Sequence, residues 1–366
     1  MVALFLLPRR LETKINNTQE RKMKTSLVFL LLPRMALGFS TPATRTNGLH
    51  GGSLITSYTE GRARESFVAL HASALSEEEI ETKSASPPAG ATVTYLDDGF
   101  VFGLEGSGLE RPKGKEAQLV VDGDSLETKD YQIAAVAATM IGHACFAGTA
   151  FMGMLATNGG NMIQTIIQAL ALFASSWVLA DFGSGVLHWS VDNYGNGRTP
   201  IMGSIIAAFQ GHHTAPWTIT ERGFCNNVYK LCVPFGLPTM AVLSFLTGPF
   251  ATFFLTTFCV FEIMSQEFHK WSHMTKGECP GWINWLQSVG LTISRKPHAQ
   301  HHLAPFEGNY CIISGICNSF LDKSGFFRRL EHIVYKLNGV ESNAWKLDAD
   351  LKARTLRGDY SLVGSN

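Results

Sequence analysis

Residues 131–187 and 231–268 are almost free of charge, and this limits what the chain can fold into more than any other feature. Apolar runs that long need either a large protein core or a bilayer to take them out of water. Across all 366 residues only 16% are charged, below the ~25% of an ordinary soluble domain, and the first 130 residues are polar. The shortfall is therefore concentrated in two blocks, as in a membrane protein.

Within the blocks, turn signals divide the sequence. A first stretch runs from about Tyr131 to Ala156, with Ala144 and Gly148 offering a small-residue face for close helix contact. Thr157-Asn158-Gly159-Gly160-Asn161 breaks it, and a second stretch continues from Met162 to Leu187. A third spans Leu231 to Leu246, where Pro234 and Pro238 predict a kink. Gly248-Pro249 precedes a Phe-rich fourth, from Phe250 to Phe268. The short connections 157–161 and 247–249 hold no Lys or Arg, whereas Lys129, Arg198, Arg222, Lys270, Lys276, Arg295 and Lys296 lie on the other side. By the positive-inside rule, that asymmetry predicts four spans with loop 188–228 and everything after 269 in one compartment. Net charge is zero, so no long-range field recruits nucleic acid. Seven cysteines without a C-x-x-C pair read as buried thiols.

The four-span parity brings the histidines to one membrane face. His188 ends the second span, His212 and His213 fall in the long loop, His269 and His273 follow the fourth, and His298, His301 and His302 come next. On a helix, residues four apart share a face, so His188/Asp192, His269/His273 and His298/His302 can each grip one centre. A structural zinc needs four ligands. Eight histidines and a carboxylate suit two metal ions of four to five protein ligands each, and imidazole suits iron among others. The expected fold is all-α and integral to a membrane, with about four transmembrane helices and a histidine-rich di-iron site at one face. A lone His-His pair is more often surface chemistry; four clusters beside apolar spans are hard to assign to chance.

Glu262, seven residues before His269, and Gln266, one turn before it, are candidates to support a ligating histidine. His143 falls mid-span, and His50 and His71 in the N-terminal region. His332 sits on the polar side of an amphipathic helix, 326–338, expected on the membrane surface and ending at Asn338-Gly339.

The N-terminal residues read as an address. From Met23 a Lys, the apolar run Leu27–Leu32 and small residues at Ala36 and Gly38 resemble a signal peptide. A Ser/Thr/Arg-rich stretch then follows Phe39, as in the bipartite plastid presequence of algae with secondary plastids. The expected organisation is presequence 1–75, polar linker 76–128, a membrane domain 129–345 that holds the eight clustered histidines, and polar tail 346–366.

The segments A-D-F-G-S-G-V-L-H-W-S-V-D-N-Y-G, F-Q-G-H-H-T-A-P-W-T-I-T-E-R-G-F-C-N-N, S-Q-E-F-H-K-W-S-H and S-R-K-P-H-A-Q-H-H-L-A-P-F-E-G-N-Y-C-I-I-S-G resemble the Kua/plasmanylethanolamine desaturase superfamily. Gln210-Gly211 before the His pair, Pro216-Trp217-Thr218-Ile219-Thr220 after it and Asn309-Tyr310-Cys311-Ile312 are similar to its plastid branch, the phosphatidylglycerol palmitate Δ3-trans desaturases. The resemblance implies iron ligands at His188, His212, His213, His269, His273, His298, His301 and His302, with Asp192 as a ninth. It implies O2-dependent desaturation of sn-2 palmitate on phosphatidylglycerol, two iron ions, and electrons from ferredoxin or another plastid redox protein. The implied location is a multi-pass protein of the thylakoid or envelope, and Trp189, Trp217 and Trp271 suit interface depth. Rival readings are an ether-lipid desaturase, a di-iron lipid hydroxylase and a non-catalytic metal-binding scaffold.

Overall fold

The structure, a computed structural model, describes residues 92–96, 100–104, 116–119, 121 and 123–362. The expected presequence and the acidic run 76–81 lie outside the described residues. The first element is a two-stranded antiparallel hairpin, β1 (Thr92–Leu96) and β2 (Phe100–Leu104), with Thr92 opposite Leu104. It falls in the expected linker. The runs T-V-T-Y-L and F-V-F-G-L are rich in β-branched and aromatic residues and are separated by Asp97-Asp98-Gly99, a turn sequence. Among the described residues this hairpin is the exception to an all-helical architecture.

Helix α1 (Asp130–Thr157) and helix α2 (Met162–Asn193) form an antiparallel pair. Gly159 and Gly160 take positive φ in the turn, and Asn158 Nδ2 ties it by donating to Thr165 Oγ1 at 2.8 Å and Gln168 Oε1 at 2.7 Å. Both helices are long and apolar enough to cross a membrane, yet only 17% of the most apolar window of each is buried. A soluble core helix would hide that surface; here Ile141, Ile163, Ile167 and Leu170 are exposed.

The chain next folds through α3 (Gly203–His212), a 3-10 turn (Pro216–Glu221) and α4 (Phe224–Leu231). The third apolar stretch kinks where expected. Val233, directly before Pro234, leaves helical conformation (φ −134°, ψ 125°) inside a π-turn, Cys232–Gly236, because proline disfavours the α region for its predecessor. Pro238 adds no kink, since it lies in the first turn of α5 (Leu237–Leu246), where a missing N–H removes no helical bond. At ten residues, about 15 Å, α5 is too short to cross a bilayer alone.

Helix α6 (Pro249–His273) packs against both α1 and α2. The close approaches differ from those expected at Ala144 and Gly148, which are exposed; a Cβ built at Gly148 meets nothing within 4 Å. A Cβ at Gly142 would instead meet Leu237 Cδ1 at 2.6 Å, and one at Gly153 would meet Pro249 Cβ at 2.8 Å. These two glycines are three turns apart on the face that receives the bundle.

After α6 come α7 (Gly281–Ser288), α8 (Arg295–His301), α9 (Asn318–Lys323), α10 (Phe326–Asn338), α11 (Asn343–Leu347) and α12 (Ala349–Leu356). Helix α10 ends at Asn338 with Gly339 at φ 73°, as its sequence predicts. Part of its polar side, however, is buried together with Phe327 and Val334 of the apolar face. Arg328 and Glu331 pair at 2.7 Å with side chains 1% and 0% exposed, Trp189 Nε1 donates to Glu331 Oε1 at 3.2 Å, and buried His332 reaches Tyr360 Oη at 2.9 Å. Partners for each charge make that burial tolerable, while Ile333 and Leu337 of the apolar side are exposed.

Trp189, Trp217 and Trp271 are likewise buried, their indole N–H groups directed at Glu331, the Glu116 carbonyl and Glu267. The exposed tryptophans are Trp282 and Trp285 on α7. All seven cysteines are free, but Cys145 is exposed on α1 where a buried thiol is expected.

Candidate metal centre

Gly153, near the end of α1, lies against Pro249 at the start of α6, so the two short turns share one end of the bundle. The last turns of α2 and α6 therefore meet at the other end. They carry His188 and Asp192 on α2, and His269 and His273 on α6. Gln210 fastens α3 across the end of α2 by donating to the Val191 carbonyl at 2.8 Å, which sets His212 and His213 beside them. Arg295 Nη1 donates to the His273 carbonyl at 2.6 Å and fixes the start of α8, which brings His298, His301 and His302.

The nine residues converge as two groups. His212, His269, His273, His298 and His302 form one; His188, Asp192, His213 and His301 form the other, and in each the ligand atoms lie within 4.8 Å of one another. In the five-imidazole group, Nε2 of His273 is 2.9 Å from Nε2 of His212, 3.2 Å from that of His269 and 2.8 Å from that of His298; His298 and His302 are 3.1 Å apart. In the other, Asp192 Oδ2 is 3.2 Å from Nε2 of both His188 and His213, and 3.4 Å from that of His301.

This donor set fits metal ions. One neutral imidazole carries one proton, so His273 Nε2 cannot make three hydrogen bonds with three imidazole nitrogens. A cation among them removes the repulsion of converging lone pairs. Imidazole–metal bonds of ~2.0–2.1 Å put neighbouring donors at right angles ~3 Å apart, the spacing seen here. Burial, then the neighbouring imidazoles, hold His212, His298 and His302 well below the ordinary histidine range. Burial also lowers His213 against the pull of Asp192. Neutral imidazole is the form that binds metal.

The backing of the ligands was not read from sequence. His188 Nδ1 lies 3.0 Å from the Tyr310 carbonyl and His301 Nδ1 2.8 Å from the Gly308 carbonyl, bonds that would leave Nε2 of each free for metal. The loop supplying these carbonyls rests on α2: Asp181 accepts from the backbone of Ser314, Gly315 and Cys317 at 2.7, 2.8 and 3.0 Å. Gly185 packs against Cys311 so closely that an added Cβ would lie 2.5 Å from its Sγ. Asp181 carried a usable signal, a carboxylate inside an apolar span, the same reasoning that singled out Glu262.

Glu262 instead lies across the α2–α6 seam against Gly183, and its Oε1 has no hydrogen-bond partner. Gln266 borders, with His212 and His269, a cavity of about 120 Å³ that extends to Asp124, Arg222 and Lys230. His143 belongs to neither metal group.

Residues 177–345 match the model of the lipid desaturase domain. The chain is 45% identical over 177 residues to fatty acid desaturase 4, chloroplastic, of Arabidopsis thaliana, covering 48% of this chain and 54% of the relative. Fatty acid desaturase 4-like 1, chloroplastic, of the same plant is 44% identical over 177 residues, 48% of this chain and 60% of the relative. Plasmanylethanolamine desaturase 1 of Mus musculus is 34% identical over 191 residues, 50% of this chain and 70% of the relative. The chain thus spans 54% and 60% of the two plant relatives' lengths. No solved structure matches it.

Proposed function

The chain belongs to the lipid desaturase family, and from that premise we propose that it is an O2-dependent di-iron desaturase of a plastid membrane, acting on sn-2 palmitate of phosphatidylglycerol to form a trans Δ3 double bond. The observation that carries this reading is the convergence of nine donors into two adjacent groups at one end of the bundle. Two bound irons would activate O2, the oxidant, which goes to two waters by taking two hydrogen atoms from adjacent acyl carbons together with two electrons from the donor and two protons. His212, His269, His273, His298 and His302 would hold one ion; His188, Asp192, His213 and His301 the other.

The protein's own contribution is positioning. Carbonyls of Gly308 and Tyr310 orient two imidazoles, and the cavity beside His212 and His269 gives an acyl chain a place to lie near the ligands. Four spans, with Leu231–Leu246 as the kinked third, would put this end at a membrane surface, close to the carboxyl end of a phospholipid's chain. Ferredoxin or a similar small redox protein would deliver electrons there, in the thylakoid or the envelope.

The mouse relative is named for ether-lipid desaturation, which makes that chemistry the second reading. Fatty-acid analysis of phosphatidylglycerol decides between them in a ferredoxin-supplying host that expresses the chain. A trans Δ3 hexadecenoyl group absent from the empty host supports the proposal. A vinyl ether, a hydroxylated chain or no new product would overturn it.

A further inference from the structure

The cavity beside the metal ligands has a second end with its own chemistry. There Arg222 and Lys230 stand on either side of one carboxylate: Asp124 Oδ2 is 2.6 Å from Arg222 Nη2 and Oδ1 is 3.5 Å from Lys230 Nζ. One oxyanion with two oxygens thus fills the space between the two cations. Asp124 comes from a strap ahead of α1 that is laid over the cavity by a few bonds. Gln118 N donates to Thr218 Oγ1 (2.9 Å), Trp217 Nε1 to the Glu116 carbonyl (3.3 Å), and buried Asn226 to the Ser125 carbonyl (2.8 Å). Burial raises the Asp124 carboxyl, but the hydrogen bond and charge of Arg222 outweigh it and hold the group below its usual range.

We propose that Arg222 and Lys230 form a subsite for the phosphodiester of an anionic lipid headgroup, which Asp124 occupies until the lipid displaces it. The proposal rests on the reading of the histidine groups as the reacting centre, and it assigns the headgroup's place relative to them. A phosphodiester presents two non-bridging oxygens in a bidentate arrangement like that of a carboxylate, so it can replace Asp124 without leaving either cation unpaired. The fixed charges lining the cavity are two cations and one carboxylate, which favours an anionic lipid over a zwitterionic one. Lys270 Nζ, 2.6 Å from the Arg222 carbonyl, braces the arginine's backbone, its own charge being offset by Glu267 at 3.7 Å. Asn227 also lines the cavity, and its Nδ2 is held by the Gln266 carbonyl and Glu267. The same strap continues into α1 at Asp130, which sets the subsite at the end of the bundle where headgroups would lie.

The test is a binding measurement on the full-length, metal-loaded chain in detergent. A fluorescent phosphatidylglycerol is displaced by unlabelled phosphatidylglycerol, phosphatidylcholine or inorganic phosphate. For wild type, phosphatidylglycerol displaces the probe better than phosphatidylcholine, and inorganic phosphate does not displace it. Lys230→Gln and Arg222→Gln weaken phosphatidylglycerol by about tenfold and shrink its advantage over phosphatidylcholine, whose phosphodiester is offset by its own ammonium. Asp124→Asn, which removes the competing anion, tightens phosphatidylglycerol several-fold, an effect a merely structural strap would not give. Lys230 is the more exposed cation and pairs with Asp124 at 3.5 Å, a longer contact than that of Arg222, so its variant is the safer one for folding.

Unchanged phosphatidylglycerol binding in both cation variants would overturn the proposal. So would weaker binding in Asp124→Asn, or displacement by inorganic phosphate as effective as by the lipid, which would identify a free-phosphate site. Because the readout is binding, it can fail while the trans product is still made, and can succeed when it is not.

Discussion

Two groups of candidate metal ligands share one end of the bundle, and they are built on different plans. Five imidazoles line the first, and two of them, His212 and His269, also border the cavity. Three imidazoles and Asp192 line the second. There His188 and His301 are oriented from behind by backbone carbonyls, and the Asp192 carbonyl is itself held by Asn343 at 2.9 Å. The first pocket therefore faces whatever enters the cavity, while the second is embedded in the protein and carries the cluster's one carboxylate. The division teaches that the same ligand type can serve access in one place and anchoring in another, according to what stands behind the ring.

The comparison breaks most severely at His269, which belongs to the first pocket and touches the cavity. His269→Ala should abolish desaturation while the protein stays in the membrane fraction, and metal analysis should show that pocket depleted. Full activity in this variant would remove His269 from the ligand set. Next in size is Asp192→Asn, expected to lower activity by roughly 100-fold and to reduce bound metal from two ions per chain toward one. If both ions are lost together, the pockets are one unit rather than two.

A smaller effect probes the backing of the second pocket through pH. Asp322 accepts from Asn309 N at 3.1 Å, next to the Gly308 carbonyl that orients His301. Burial pushes its carboxyl up from an ordinary 3.8 to about 6. A carboxyl raised on folding holds its proton more tightly in the native state, so its stabilising contribution is complete below pH ~4 and is lost as pH rises through ~6. Thermal unfolding midpoints in detergent should therefore fall across that interval more steeply for wild type than for Asp322→Asn. Identical slopes would show that this loop does not sense Asp322.

The candidate ligands were legible because histidines at i and i+4 leave a signature that needs no tertiary information, and the structure brings all eight together with Asp192. Their supports were not. A carbonyl such as that of Gly308 or Tyr310 is present in every residue, and only the fold selects which one meets an imidazole. Glu262 and Asp181 are both carboxylates in apolar stretches, yet sequence reasoning chose Glu262, which sits against Gly183, and passed over Asp181, which holds the supporting loop. The small-residue face failed similarly: Ala144 and Gly148 have the right spacing, but Gly142 and Gly153 lie on the side that receives neighbours. Helix α10 matched its predicted end but also buries part of its polar side beside Phe327 and Val334, because periodicity cannot register an Arg328–Glu331 pair that makes charges fit to bury.

Asp181 also ties together distant parts of the chain. The backbone groups of Ser314 and Gly315 that it binds lie 133 and 134 residues downstream. A buried carboxylate left without those donors, and without that of Cys317, would be costly. Helix α2 and the loop that supports the histidines therefore settle as one cooperative unit, so a fault in the C-terminal third of the chain is felt in one of its first helices.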